Sequence, residues 1–242
     1  MAAHPIVSDP VTTGARRLLD GSGIATVAVR GTKDRSDVMV SAGHRWIGDG
    51  TIVVTGAPAP WSGLMVAPGD SVEVVVMIDE FAPIVEAKIH VASLYGFGVA
   101  RAARQGEGWI VEIEIELGEV NVRRLGHEGT VDAAQLDAVP SDPLACEAPG
   151  LADEIRARFG SDLAMLAGSG DPAQPPYVLG VDADGLHLLT ALGTDADVIH
   201  LPFVTRAECV NDVVREMGQY VARPRQLRGD SPARHRADQA GV

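Results

Sequence analysis

The sequence predicts a mainly β, α+β protein: an antiparallel sheet of six strands closing on itself, followed by a smaller α+β domain. Three observations carry this. Val72–Ile78 is a short apolar run, too β-branched for a helix. Trp109, Val111, Ile113, Ile115 and Leu117 alternate with Ile110, Glu112, Glu114 and Glu116, the period of a strand with one dry and one wet face. After Gly126 the alternation gives way to apolar residues at three- and four-residue spacing, as on a helix.

In chain order, residues 1–10 read as a flexible arm, and Thr13 as the cap of a short helix through Leu18 and Leu19. Gly23–Arg30, Asp37–Ser41 and Thr51–Thr55 are the first three strands, with Gly48-Asp49-Gly50 as a hairpin loop. The proline-bearing stretch 57–69 is an irregular crossover, in which Trp61 and Leu64 plug one end of the sheet. Val72–Ile78, Pro83–Ser93 and Trp109–Leu117 complete the six strands of a domain over 11–125. Residues 126–149, punctuated by prolines, are a linker.

The small domain spans 150–222. Leu151, Ile155, Phe159, Leu163 and Leu166 form the stripe of its first helix. Tyr177–Val181 and Leu186–Thr190 flank the turn Asp182–Gly185, and a third strand ends at Pro202. Thr205 and Glu208 have capping-box spacing for a last helix that carries Cys209, Val213, Met217 and Tyr220 inward. Residues 223–242, with five arginines, two aspartates and one histidine, read as a disordered basic tail.

Totals narrow the function. A net charge of −13 argues against nucleic acid, whose phosphates it repels. Cys146 and Cys209 are too few for a disulfide framework or a four-thiolate zinc site. No run reaches the roughly 20 apolar residues of a membrane span. The first ten residues lack a basic and an apolar signal region, so a cytoplasmic protein is expected.

The order of elements, with Val181-Asp-Ala-Asp-Gly185-Leu-His-Leu188, then His200-Leu-Pro-Phe203 and Val204-Thr205, resembles one family arrangement. It is similar to the split β-barrel of the pyridoxamine-phosphate-oxidase type, followed by the small α+β domain of HugZ-like haem-iron-utilisation proteins. The resemblance implies a homodimer whose two barrels share a groove. That groove holds flavin (FMN) in the oxidases and haem in the HugZ-like branch, where oxidative opening of the porphyrin releases iron. It also implies a haem-ligating histidine on the C-terminal segment. Two features depart from the pattern. The His-Met-Asn-x-Asp-His signature of such relatives corresponds here to Arg158-Phe-Gly-Ser-Asp-Leu163, which keeps only Asp162. Thr55–Ser71 has no Arg or Lys to hold a flavin phosphate. Two alternatives to a haem-degrading enzyme therefore stand: a non-catalytic haem- or partner-binding protein, and an FMN-dependent oxidoreductase.

Within that resemblance His235 is the candidate iron ligand, with Arg234 and Arg236 as partners of the propionates, since guanidinium pairs bidentately with carboxylate. A solvated terminus explains the same three residues. His44, Arg45 and Trp46, between the second and third strands, offer an imidazole, a cation and a stacking ring, or else a tryptophan packed under a barrel rim. His90 shares a strand face with Glu86 and Lys88, lining the groove or exposed. His187 and His200 read as hydrogen-bonded sheet residues, and His127 as a turn residue. Gly96–Arg101 is half of a dinucleotide fingerprint without its context. Asp182-Ala-Asp-Gly185 lacks the bidentate glutamate of a calcium loop.

Overall fold

The structure, a computed structural model, describes residues 9–31, 38–57, 70–84, 88–105, 110–167, 175–192, 197–222 and 234–236. The chain divides into two compact units, Met1–Glu80 with Ala92–Ser141, and Phe81–Val91 with Asp142–Val242. The stretch 57–69 expected as a crossover, with Trp61 and Leu64, lies largely outside the described residues, as do Glu86 and Trp109.

The first unit is built on one antiparallel sheet in the order β3 (Thr51–Gly56), β2 (Val38–Gly48), β1 (Ile24–Val29), β4 (Val72–Phe81), β5 (His90–Gln105), β6 (Val111–Arg124), β7 (His127–Val131). The sheet curls until β3 also pairs with β6, from Thr51↔Glu116 to Gly56↔Val111. β6 therefore gives one edge to two partners, β3 along its first half and β7 along its second. The sheet has seven strands where six were expected, because β7 lies in the stretch read as a linker. α2 (Ala133–Ala138), closed by a capping box between Asp132 and Gln135, follows it there.

Alternation builds the core. Val111, Ile113, Ile115 and Leu117 of β6 are buried while Glu112, Glu114 and Glu116 stand outward. On β4 the inward row is Val74, Val76, Ile78 and then Glu80, so the same period that buries three aliphatics also buries a carboxylate. α1 (Pro10–Leu19) packs its Ala15, Leu18 and Leu19 inward. Its cap is Asp9, which accepts from the Thr12 amide at 3.1 Å, rather than Thr13, because Pro10 fits the first helical position.

The second unit packs α3 (Ala148–Ala167) and α4 (Val210–Ala222) on an antiparallel sheet ordered β11 (Arg234–Arg236), β10 (Asp197–Pro202), β9 (Gly185–Leu189), β8 (Tyr177–Asp182). The core joins Leu151, Ile155 and Leu163 of α3 and Val213 and Met217 of α4 to Val178, Val181, Leu186, Leu188, Ile199 and Leu201. α4 begins at Val210, not at Thr205. The chain before it is tied to the β8–β9 turn by Phe203 N–H to Asp184 O at 2.8 Å and Ala207 N–H to Ala183 O at 2.8 Å. Cys209 consequently stands exposed ahead of the helix. Residues 234–236, placed by the sequence in a disordered tail, form β11.

Candidate functional site

His44, Arg45 and Trp46 lie within β2, not in a loop, and alternate accordingly: His44 and Trp46 are buried and Arg45 is exposed. His44 Nε2–H donates to the Leu18 carbonyl at 2.6 Å. Burial lowers the affinity of this imidazole for a proton, against hydrogen bonds to the backbone at Leu18 and Ser22 and the charge of Asp20. Trp46 Nε1–H donates to Asp137 Oδ1 at 2.8 Å, and Asp137 Oδ2 accepts the Asp49 amide at 3.1 Å, which pins the β2–β3 turn to α2.

The inward carboxylate of β4 has its own partners. Glu80 Oε1 accepts from Arg17 Nη2 at 3.2 Å and from Ser22 Oγ at 2.7 Å. Burial pushes its pKa up, but the charges of Arg17 and Arg124 and these hydrogen bonds outweigh it and hold the carboxyl below its usual range. Sequence reading missed this pair. The period of β4 was the signal, since it counts Glu80 among the inward positions.

His90 opens β5 and is exposed. Its ring lies 5.1 Å from that of Phe81, tilted by 42°, and Lys88 Nζ stands 4.6 Å from the Phe81 centroid. Imidazole, aromatic ring and ammonium thus meet at one place in the second unit.

The C-terminal candidates are placed by backbone pairing. β11 runs antiparallel to β10 with Arg234 opposite Ile199, His235 opposite Val198 and Arg236 opposite Asp197.

A further set of donors gathers on the sheet face away from α3 and α4. His187 of β9 is paired directly with His200 of β10, and their rings stack at 4.6 Å with 17° between planes. Asp182, diagonal to His187 across the β8–β9 turn, accepts from His187 Nε2 through Oδ2 at 2.9 Å and from the Asp184 amide through Oδ1 at 3.0 Å. Asp182 is buried, and the His187 side chain is 12% exposed. Both histidines are sheet residues, as expected. The sequence hid that the two hairpin registers bring both to one carboxylate.

A curled antiparallel sheet and a second, helix-backed sheet in one chain define the class of fold. It is shared with a solved structure described as a heme binding protein from Mycobacterium smegmatis, at a TM-score of 0.54 and 14% identity over 93% of this chain and 100% of that one. A protein of unknown function from Agrobacterium tumefaciens aligns over 91% of this chain and 100% of its own at 16% identity, with a TM-score of 0.37. No protein-family model matches the sequence. No curated protein matches it either.

Proposed function

We propose that the protein binds haem in a groove shared between two copies of the chain, and that oxygen-dependent opening of the porphyrin is its activity. The observation that carries the proposal is the fold shared with the mycobacterial heme binding protein along 93% of the chain. The order of elements resembling HugZ-like proteins supports it. Bound haem would supply the oxygen chemistry, and the chain's own residues would bind and orient it.

A haem requires an imidazole lone pair for iron, apolar surface for the macrocycle and cations for two propionates. His44 does not fit, because it is buried and its Nε2 is committed to Leu18. Trp46 does not fit either, being buried with its N–H on Asp137. His90 with Phe81 and Lys88 brings an imidazole, one aromatic ring and one cation together. His235, between Arg234 and Arg236, is assigned the iron on the strength of the family resemblance.

The depression lined by Arg30, Glu73, Phe97, Val99, Glu116 and Leu117 holds about 250 Å³. Sites for drug-sized ligands run to roughly 300–1,000 Å³, so a tetrapyrrole needs more wall than this depression gives. Tyr95 and Phe97, exposed and in edge-to-face contact at 5.1 Å, provide apolar surface that a second copy would cover.

Hemin titration tests the proposal. A saturable Soret shift with half-saturation below about 10 μM is expected, with loss of the band in His235→Ala and weakening in His90→Ala. No saturable shift would overturn haem binding, and a monomer by sedimentation in the presence of hemin would overturn the shared groove. The missing signature histidines over Arg158–Leu163 favour a second reading, binding without turnover. A Soret band that survives ascorbate and oxygen would establish it.

A further inference from the structure

We propose that Asp182, His187 and His200 form a binding site for a divalent transition-metal ion of the zinc class, separate from any haem. One ligand atom from each residue lies within 4.8 Å of the other two, and the closest pair, His187 Nε2 and Asp182 Oδ2, is already at 2.9 Å. Metal bonds of about 2.0–2.2 Å place tetrahedral neighbours roughly 3.4 Å apart, a spacing between that of the closest pair and the 4.8 Å limit of the set.

The backbone organises the donors. Direct pairing of His187 with His200 fixes two Cβ atoms about 4.5–5.5 Å apart on one face. The stacked rings then present their edges side by side. A metal ion at His187 Nε2 takes the place of the proton that this nitrogen gives to Asp182 Oδ2, the proton moving to Nδ1 or to solvent, so the cation is shared by the same two atoms.

Gly185 is the independent observation. Its φ is not among the positive ones, so the turn does not demand glycine. Space does: a Cβ there would overlap His200 Nε2 and lie 2.6 Å from the Leu201 carbonyl. The bare Cα lets the His200 imidazole lie over the hairpin, next to the turn that carries Asp182. Partial burial of Asp182 and His187 strengthens the attraction of the carboxylate for a cation. Two imidazoles and one carboxylate select zinc, cobalt or nickel over calcium or magnesium, which take oxygen ligands. Three protein donors leave a coordination position for water or an anionic ligand.

The test uses the untagged full chain, stripped of metal by a chelator, with Co2+ as the spectroscopic probe and Zn2+ as competitor. One equivalent of Co2+ is expected to bind with a Kd at or below about 10 μM, giving visible d–d absorption that Zn2+ abolishes. His187→Gln and His200→Gln are expected to weaken binding at least 30-fold and Asp182→Asn about tenfold, with His127→Gln as the unchanged control. Gly185→Ala keeps all three donors and is expected to weaken binding by displacing His200. In the unmutated chain, Zn2+ is expected to shift the imidazole NMR signals of His187 and His200, a readout independent of whether any variant folds. Failure of Zn2+ to move those signals, or wild-type Co2+ affinity in folded His187→Gln or His200→Gln, would overturn the proposal. Because the probe is the metal ion alone, a negative hemin titration leaves this result untouched, and the converse holds.

Discussion

In the first unit His44 is buried on β2 with its Nε2 on the Leu18 carbonyl, and Glu80 is buried on β4 against Arg17 and Ser22. In the second unit His187 and His200 stand side by side on neighbouring strands with Asp182 at their edge. Both places hold imidazole and carboxylate side chains withdrawn from water. In the first, His44 Nε2–H goes to a backbone carbonyl and Glu80 Oε1 accepts from Arg17 and Ser22, all within one unit, which makes them part of the scaffold. In the second, one ligand atom from each of three residues lies within 4.8 Å of the other two, the arrangement on which the metal proposal rests.

The comparison can be broken most directly at Glu80. Replacing it with Ala leaves Arg17 buried without its carboxylate and should cost roughly 3–5 kcal/mol, read as a lowered midpoint in urea. A loss below about 1 kcal/mol would mean that the pair is not part of the scaffold. Next comes Asp137→Ala, which strands the Trp46 N–H and should cost about 1–3 kcal/mol by the same measurement.

The pH dependence sharpens the contrast. His44 has a folded pKa below its ordinary 6.5, so the unfolded chain binds the extra proton and stability falls as pH drops through 6.5. Glu80, also lowered, gives stability that is present above its ordinary 4.5 and lost as pH falls through its folded value. Denaturant midpoints from pH 7.5 to 5.5 should decline in the wild type and flatten in His44→Gln. An unchanged slope would remove His44 from the scaffold. The smallest effect is expected at His200→Gln, which in metal-free protein should shift stability by less than about 1 kcal/mol, since this half-buried ring lies outside the hydrophobic core of its unit. A larger loss would make the stacked pair structural.

Legibility followed the physics of each element. The alternation of Val111 to Leu117 with three glutamates was readable because one face is dry and the other wet. β2 was cut short because Gly43 and Gly48 resemble loop residues. The strand instead runs past both, with register shifts at Ser41/Gly43 and Trp46/Gly48, and this turns an apparent loop cluster into alternating strand positions. β7 was missed because only Val131 is buried along it, leaving no period to detect. Thr205 and Glu208 have the spacing of a cap, but hydrogen bonds to the β8–β9 turn hold that stretch out of the helix. Arg234-His235-Arg236 has no apolar signal, and backbone pairing alone makes it a strand. Of the candidate site, the residue types were legible, and their grouping was not, because it depends on register across two hairpins.

The second unit is discontinuous in sequence, since Phe81–Val91 belongs to it along with Asp142–Val242. No single cleavage of the polypeptide can release it whole. A recombination event that carried only the last hundred residues into another gene would leave Phe81, Lys88 and His90 behind.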